Sequence, residues 1–375
     1  MNHIVDQHLH IVSFDIPWPA NYGGVIDVFY KIKALNAKDV KVHLHCFEYG
    51  RKPSAELEKL CHSVDYYKRD ISKRHLFRQS PYIVSSRSSD TLMDNLLQDS
   101  YPVLLEGLHT CQLLDDLRME GRKVSVRTHN VEHEYYLHLA KAETAIFKKY
   151  YFYNEAGKLR RFEPILDKAS CVIAISKNDE RYFASRFKNV HFVPAFHPHK
   201  EVMIRQGKGK YVLYHGNLSV AENFNAVKYL INHVFNDLKT PFKIAGLNPP
   251  AHLIKLLAPL PNVELISNPD DEMLFNLISN AHINVSVTFQ ATGLKLKLLN
   301  TLYNGRFCLV NDQMLSGSAL DELCVIANEP LAMKQMIKAL FKKSFSKTEI
   351  EFRRNKLSEL YHNGHNVDKL IQLVC

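Results

Sequence analysis

The sequence predicts an α/β protein made of two doubly wound, parallel-sheet domains. Short β-branched or apolar runs alternate with amphipathic helical stretches along nearly the whole chain, the pattern of parallel sheets covered on both faces. That alternation is interrupted over 194–210, where Pro194, Pro198 and two glycines replace the apolar periodicity. At 375 residues the chain is long enough for each half to bury its own core. The boundaries that follow are a first domain over 1–197, a linker over 198–210 and a second domain over 211–375, with the last helices able to pack back on the first domain.

In chain order, 10–14 reads as the first strand. It runs into the turn-rich stretch from Pro17 to Gly24 and then a helix over 25–35. A strand over 42–47, helices over 55–61 and 90–97, and a strand over 102–105 follow. A further strand at 124–126 leads to a long helical pattern over 132–166, with Tyr135, Leu139, Ala142, Ile146, Tyr150 and Tyr153 on one stripe. A strand begins at Cys171, Ser176 caps a helix running to Phe187, and 190–193 is the last strand of this half. The second half repeats the pattern. Strands are expected at 211–214, 242–245, 263–266, 283–289 and 307–310, with a turn at 215–218 and helices over 223–234, 252–257, 269–281, 331–341 and 348–360. Both halves are therefore Rossmann-like.

No apolar run approaches the roughly 20 residues of a membrane-spanning helix, and the first ten residues are polar rather than signal-like. The expectation is a cytoplasmic protein, peripheral on the inner face of the membrane if it meets one. Seven cysteines are scattered without CxxC spacing, so reduced thiols are expected rather than disulfides or a zinc knuckle. The net charge of +9 calls for an anionic partner. The bases are dispersed in patches such as Lys148, Lys149, Arg160 and Arg161 rather than gathered in one arm. An anionic membrane surface therefore suits them better than nucleic acid, which is not expected as a partner.

The candidate chemistry lies at strand ends, where open parallel sheets bind ligands. One strand delivers Glu106 and His109, and the next delivers His129 and Asn130. The Gly23-Gly24 turn follows the first strand. In the second half, the strand ending near Phe289 meets a turn at Thr292 and Gly293 and then a helix. Free N–H groups at its start suit a phosphate. Leu294, Leu298 and Leu302 fall on one face of that helix, with Lys297, Asn300, Thr301 and Asn304 on another.

These pieces resemble, in order and over nearly the whole chain, the retaining family-4-type glycosyltransferases of bacterial glycan biosynthesis. Gly23-Gly24 is similar to the glycine turn after their first strand, and the segment Arg127 to His133 to their histidine-bearing acceptor-side segment. His215, Gly216, Asn217 and Leu218 with Glu222 and Asn223 resemble the turn opening the donor domain, and Thr292 to Lys297 the donor-phosphate helix. The resemblance implies the GT-B fold, two Rossmann-like domains facing across a cleft. It implies a hexosyltransferase moving a sugar from a UDP- or GDP-linked donor to a saccharide or lipid-linked acceptor with retention. His129 would be the catalytic histidine. Gly216, Asn217, Thr292, Gly293, Leu294, Lys295, Lys297 and Asn300 would bind the donor, and Gly23, Gly24, Glu106, His109 and Asn130 would lie on the acceptor side. Backbone N–H groups and the Lys297 ammonium could neutralise the leaving diphosphate without a metal, so neither metal nor resident cofactor is expected.

The family's two glutamates, eight residues apart, are here Thr292 and Asn300. Asn300 keeps hydrogen-bonding capacity but loses charge assistance. The residues therefore leave two alternatives open: a sugar-nucleotide 2-epimerase, which shares the architecture, and a catalytically degenerate binding or scaffold subunit.

Overall fold

The computed structural model describes residues 7–143, 145–289 and 296–375. The described chain forms two compact units. The first comprises residues up to Pro198 together with Tyr361–Cys375, and the second runs from His199 to Leu360.

The first unit carries a parallel seven-stranded sheet: β1 (His8–Ser13), β2 (Lys41–Glu48), β3 (Ser63–Lys68), β4 (Val103–Glu106), β5 (Val124–Thr128), β6 (Cys171–Ala174) and β7 (Val190–Phe192). The order is β3-β2-β1-β4-β5-β6-β7, so the winding reverses between β1 and β4. Both faces are covered, as the near-continuous apolar strands require. Val12, Val126 and Val172 point into one core, while Leu9, Ile11, Leu104 and Ile173 point into the other.

Differences from the sequence reading have local causes. β3 escaped notice because Ser63, Asp65 and Lys68 dilute its apolar signal at the sheet edge. The long helix over 132–166 breaks into helices Glu132–Ala142 and Ile146–Phe162. Glu143 contributes to the break: its carboxylate accepts the Ala145 N–H (2.9 Å), satisfying a donor of the second helix start from outside the ladder. The expected stripe does not continue inward, for Ile146, Tyr150 and Tyr153 are exposed. Ser176 caps its helix as expected, accepting from Asp179 N at 3.1 Å, although the helix ends at Ala184.

The second unit holds β8 (Val212–Asn217), β9 (Phe242–Leu247), β10 (Val263–Ser267), β11 (Ile283–Ser286), β12 (Phe307–Val310) and β13 (Val325–Ile326), all parallel in the order β10-β9-β8-β11-β12-β13. The turn expected at 215–218 is corrected. His215, Gly216 and Asn217 continue β8, opposite Ala245, Gly246 and Leu247 of β9. Glycine permits this: a Cβ on Gly246 would sit 2.4 Å from the Gly216 carbonyl oxygen, so the two strands approach more closely there than side chains allow. The strand expected to run to Phe289 ends at Ser286, and the helix beyond is described over Leu296–Asn304. Asp270 caps helix Asp271–Asn280 by accepting from Met273 N at 2.7 Å. Among the described residues no helix is long and apolar enough to cross a membrane.

Candidate active site

In the first unit the carboxyl ends of β4 and β5 carry a buried charge cluster. Glu106 ends β4 and is fully buried. Gly107 follows with φ +70°, turning the chain sharply enough that a Cβ there would meet the His109 ring at 2.8 Å. His129 lies just past β5, and its Nε2 is 2.9 Å from Glu106 Oε2. A carboxylate only accepts, so the neutral ring carries its hydrogen on Nε2 and turns the Nδ1 lone pair elsewhere.

Behind this pair, helix Gly23–Asn36 supplies Asp27 and Lys31, one turn apart and both fully buried. Lys31 Nζ reaches Glu106 Oε1 (2.5 Å) and Asp27 Oδ2 (3.2 Å). Arg127 from β5 grips Asp27 with Nε (2.7 Å) and Nη2 (2.8 Å), and Nη2 also donates to the Pro194 carbonyl (2.9 Å). The Phe196 N–H donates to Asp27 Oδ1 (2.7 Å). Two cations thus cancel two anions out of reach of water. Burial alone would raise both carboxyls. Arg127 and Lys31 hold Asp27 far below the ordinary range instead, and Lys31 with the His129 hydrogen bond holds Glu106 below its own.

Asp27, Glu106 and His129 also offer donor atoms within 4.8 Å of one another, a spacing that fits a metal ion. Their oxygens are already taken by Lys31, Arg127, Phe196 N and His129. A divalent ion would have to displace a buried ammonium.

The other predicted residues of this half surround the pair without joining its hydrogen bonds. The His109 ring packs on Phe14 (5.2 Å between centroids), which also meets the His129 ring (5.4 Å). Burial pushes His109 well below the usual histidine range. Asn130 is half-buried and hydrogen-bonds Glu132, a carboxyl that burial raises to about 7. Gly23 and Gly24 open their helix, and a Cβ on Gly24 would meet the Phe14 ring at 2.7 Å.

In the second unit a polar cluster gathers at the carboxyl ends of β8 and β11, the strands between which that sheet reverses. Asn223 organises it. Its Nδ2 donates to the Asn217 carbonyl (2.9 Å) and its Oδ1 accepts from Lys297 Nζ (2.9 Å) and from the Tyr214 hydroxyl (3.2 Å). A Cβ on Gly216 would stand 3.2 Å from that amide. The ammonium also lies over the Tyr214 ring, 5.4 Å from its centroid. His215, buried beside Lys297, is lowered to about 4 and meets Thr301 Oγ1 at 3.2 Å. Glu222 bonds the Thr288 hydroxyl, and Asn311 closes the cluster by pairing with the Thr288 backbone. Asn304 Nδ2 donates to Asn300 Oδ1 (2.8 Å), which occupies the Asn300 amide oxygen. The helix face expected to line a site is therefore split: Lys297 and Asn300 are half-buried, whereas Thr301 and Asn304 are buried within the unit. Thr292, Gly293, Leu294 and Lys295 lie outside the described residues.

Sequence reasoning missed Asp27 and Lys31, Tyr214, Thr288 and Asn311. The one available signal was Asp27 and Lys31 themselves, a charged pair on the same stripe as Gly24 and Leu35 of a largely apolar helix.

No family model matches the chain. An uncharacterized 44.6 kDa protein in the cps region of Klebsiella pneumoniae is 26% identical over 363 residues, spanning 91% of this chain and 93% of that protein. Solved structures match over essentially full length at low identity. TarM has a TM-score of 0.66 at 11% identity, covering 100% of this chain and 99% of its own. A glycosyltransferase from Rickettsia africae has 0.64 at 11%, covering 98% of each chain. WaaG, a glycosyltransferase involved in lipopolysaccharide biosynthesis, has 0.63 at 10%, covering 98% and 99%. The chain has the fold of these proteins, GT-B, with its two Rossmann-like sheets.

Proposed function

We propose that the chain is a glycosyltransferase that moves a sugar from a nucleotide-linked donor to a saccharide or lipid-linked acceptor, with retention and without a metal. The observation that carries this reading is the cation at the sheet reversal of the second unit: Lys297, held by Asn223 beside the end of β8. An ammonium there, with the N–H groups of Gly293, Leu294 and Lys295, would neutralise the charge that develops as a diphosphate leaves. Asn300, its oxygen already taken by Asn304, would donate to a donor hydroxyl. In the first unit His129 would hold the transferred sugar, its Nδ1 accepting from a hydroxyl while Glu106 fixes the ring. The GT-B relatives and the cps-region relative support polysaccharide biosynthesis as the setting.

A panel of UDP- and GDP-sugars tests the reading. At least one should raise the melting temperature and be turned over with an acceptor to a product of retained configuration. Lys297→Ala should abolish the shift, and His129→Ala should lower turnover by roughly 10²–10⁴-fold while the donor still binds. A sugar nucleotide that binds and is epimerised without acceptor would assign the 2-epimerase activity instead, and binding without any turnover would assign a scaffold role.

The reading extends to an anionic membrane surface as partner. Ile146, Phe147 and Tyr150 are 81%, 92% and 74% exposed at the start of helix Ile146–Phe162, beside Lys148 and Lys149. That combination suits insertion at a lipid headgroup boundary. Co-sedimentation with anionic vesicles should fall sharply when Ile146 and Phe147 are both replaced by serine. Unchanged sedimentation of that variant would remove this helix from the account.

A further inference from the structure

A cavity of about 830 Å³ opens in the first unit beyond the carboxyl ends of β1 and β2. It lies between segment 15–22 and segment 49–54, away from the hydrogen bonds of Glu106 and His129. Phe14 links the two places. Its ring packs on His129, and the next residue, Asp15, lines the cavity.

Aromatic faces form part of the wall. Trp18 is half-buried and rests on Phe29 (4.9 Å), while Tyr22 and Tyr49 are 43% and 54% exposed. Such planes suit the C–H faces of pyranose rings. The polar lining is rigid. Buried Asp15 accepts from the Ile16 N–H (2.9 Å) and the Tyr22 hydroxyl (2.8 Å), and Arg51 Nε stands 3.3 Å from it. Arg51 is fixed in turn by the Pro19 carbonyl (2.6 Å) and by Asn21.

Charge distinguishes this cavity from a neutral sugar site. Arg51 and Lys52 line it against one carboxylate, Asp15. Just outside, the Arg69 guanidinium stacks on Tyr49 at 4.3 Å, and buried Arg87 donates to the carbonyls of Phe14 (2.8 Å) and Ile83 (2.7 Å). Two lining cations against one anion, with two further guanidiniums just outside, leave a positive concavity. Its volume lies in the range of roughly 300–1,000 Å³ that ligand sites occupy.

We propose that this cavity is the acceptor subsite and that its ligand is a saccharide bearing a negatively charged group, a carboxylate or a phosphate. The word acceptor rests on the glycosyltransferase reading; the affinity for an anionic saccharide does not. Trp18 is the sole tryptophan of the chain, so its fluorescence reports occupancy directly.

The full chain is titrated with a glucuronate-containing tetrasaccharide, with the methyl ester of that tetrasaccharide, with a hexose monophosphate and with the free hexose, following Trp18 emission and heat of binding. At least one anionic probe should give a saturable signal, and its neutral counterpart should bind about tenfold or more weakly. The arm that responds tells carboxylate from phosphate. Lys52→Ala should weaken the anionic probe about tenfold, and Tyr49→Ala should weaken charged and neutral probes alike. Both side chains are exposed, so neither change endangers folding. No saturable binding of any probe, equal affinity for charged and neutral members, or titrations unmoved by both variants would overturn the proposal. If an anionic saccharide binds while no sugar nucleotide does, the transferase reading falls and the saccharide site stands; the reverse result removes the subsite alone.

Discussion

Lys31 reaches a carboxylate of its own helix and one at the end of β4, while Arg127 closes the set from β5. The arrangement fixes Glu106, and through Glu106 the ring of His129, without any contact to solvent. Such a cluster is stable only while its charges balance. Asp27→Asn would leave two buried cations facing Glu106 alone. It should destabilise the first unit by about 3–5 kcal/mol, read as a lower urea midpoint of Trp18 fluorescence. A midpoint within experimental error of the parent would mean that Arg127 and Lys31 find other partners. His129 and Glu106 were legible in the sequence because strand ends are where ligands bind. Asp27 and Lys31 were not, since an i,i+4 acid–base pair reads equally well as a surface ion pair. Only their pairing with Arg127 of β5 and Glu106 of β4 decides the matter.

Among the elements, β1 and β2 carry a ladder of histidines on one face, which Ser63 and Tyr67 of β3 extend. Its hydrogen bonds have a single consistent direction. Asn95 donates to the Tyr67 hydroxyl (2.8 Å), Tyr67 to His45 Nδ1 (2.8 Å), His45 Nε2 to His10 Nδ1 (2.8 Å), and His10 Nε2 to Asp99 (3.0 Å). Alongside, His8 meets His43 (2.8 Å), whose Nδ1 meets Ser63. Burial favours the neutral imidazole at His10, His43 and His45. Burial, reinforced by neighbouring histidines, lowers His45 to about 3 and His43 to about 4; His10 is lowered by burial despite Asp99. The groups facing the ladder are Asp65, Asp99, Tyr67, Tyr101, Arg122 and His62. In the unfolded chain histidine titrates near 6.5, so below that pH the unfolded state binds more protons and stability falls as pH drops. For fully buried His45 the slope is about 1.4 kcal/mol per pH unit between about 6.5 and its folded value. Melting temperature should therefore decline from pH 7 to pH 5, and His45→Gln should flatten the decline. Parallel profiles for parent and variant would show that His45 does not govern the acid limb. Period-2 spacing on a strand puts His8 with His10 and His43 with His45 on common faces. The ladder itself needed the parallel register that sets His10 opposite His43, and Asp99 from a separate loop.

At the scale of the molecule, the chain ends in the unit in which it begins. Helix Asn363–Val374 places Val367, Leu370 and Val374 in the same core as Leu9, Ile11, Val28, Ile32 and Leu35. Polar contacts fasten it. Asn363 Nδ2 donates to the His197 carbonyl (2.8 Å), Lys369 Nζ to the Phe192 carbonyl (2.7 Å), and Lys38 pairs with Asp368 (2.7 Å). The last helix expected from the sequence covers 348–360, so Asn363–Val374 is an addition from the structure, and no local signal says which of two similar sheets it covers. That choice depends on complementary apolar faces more than 300 residues apart in the chain. Three fully buried aliphatic side chains contribute about 1.5–3 kcal/mol each, a large share of the roughly 5–15 kcal/mol that holds a domain folded. Deleting residues 362–375 should therefore lower the unfolding midpoint of the first unit, followed by Trp18, by several kcal/mol. Protection of β8 and β11 amides from hydrogen exchange should persist, because those strands draw on a separate core. Loss of protection in β8 and β11 together with β1 and β4 would show instead that the two units unfold as one.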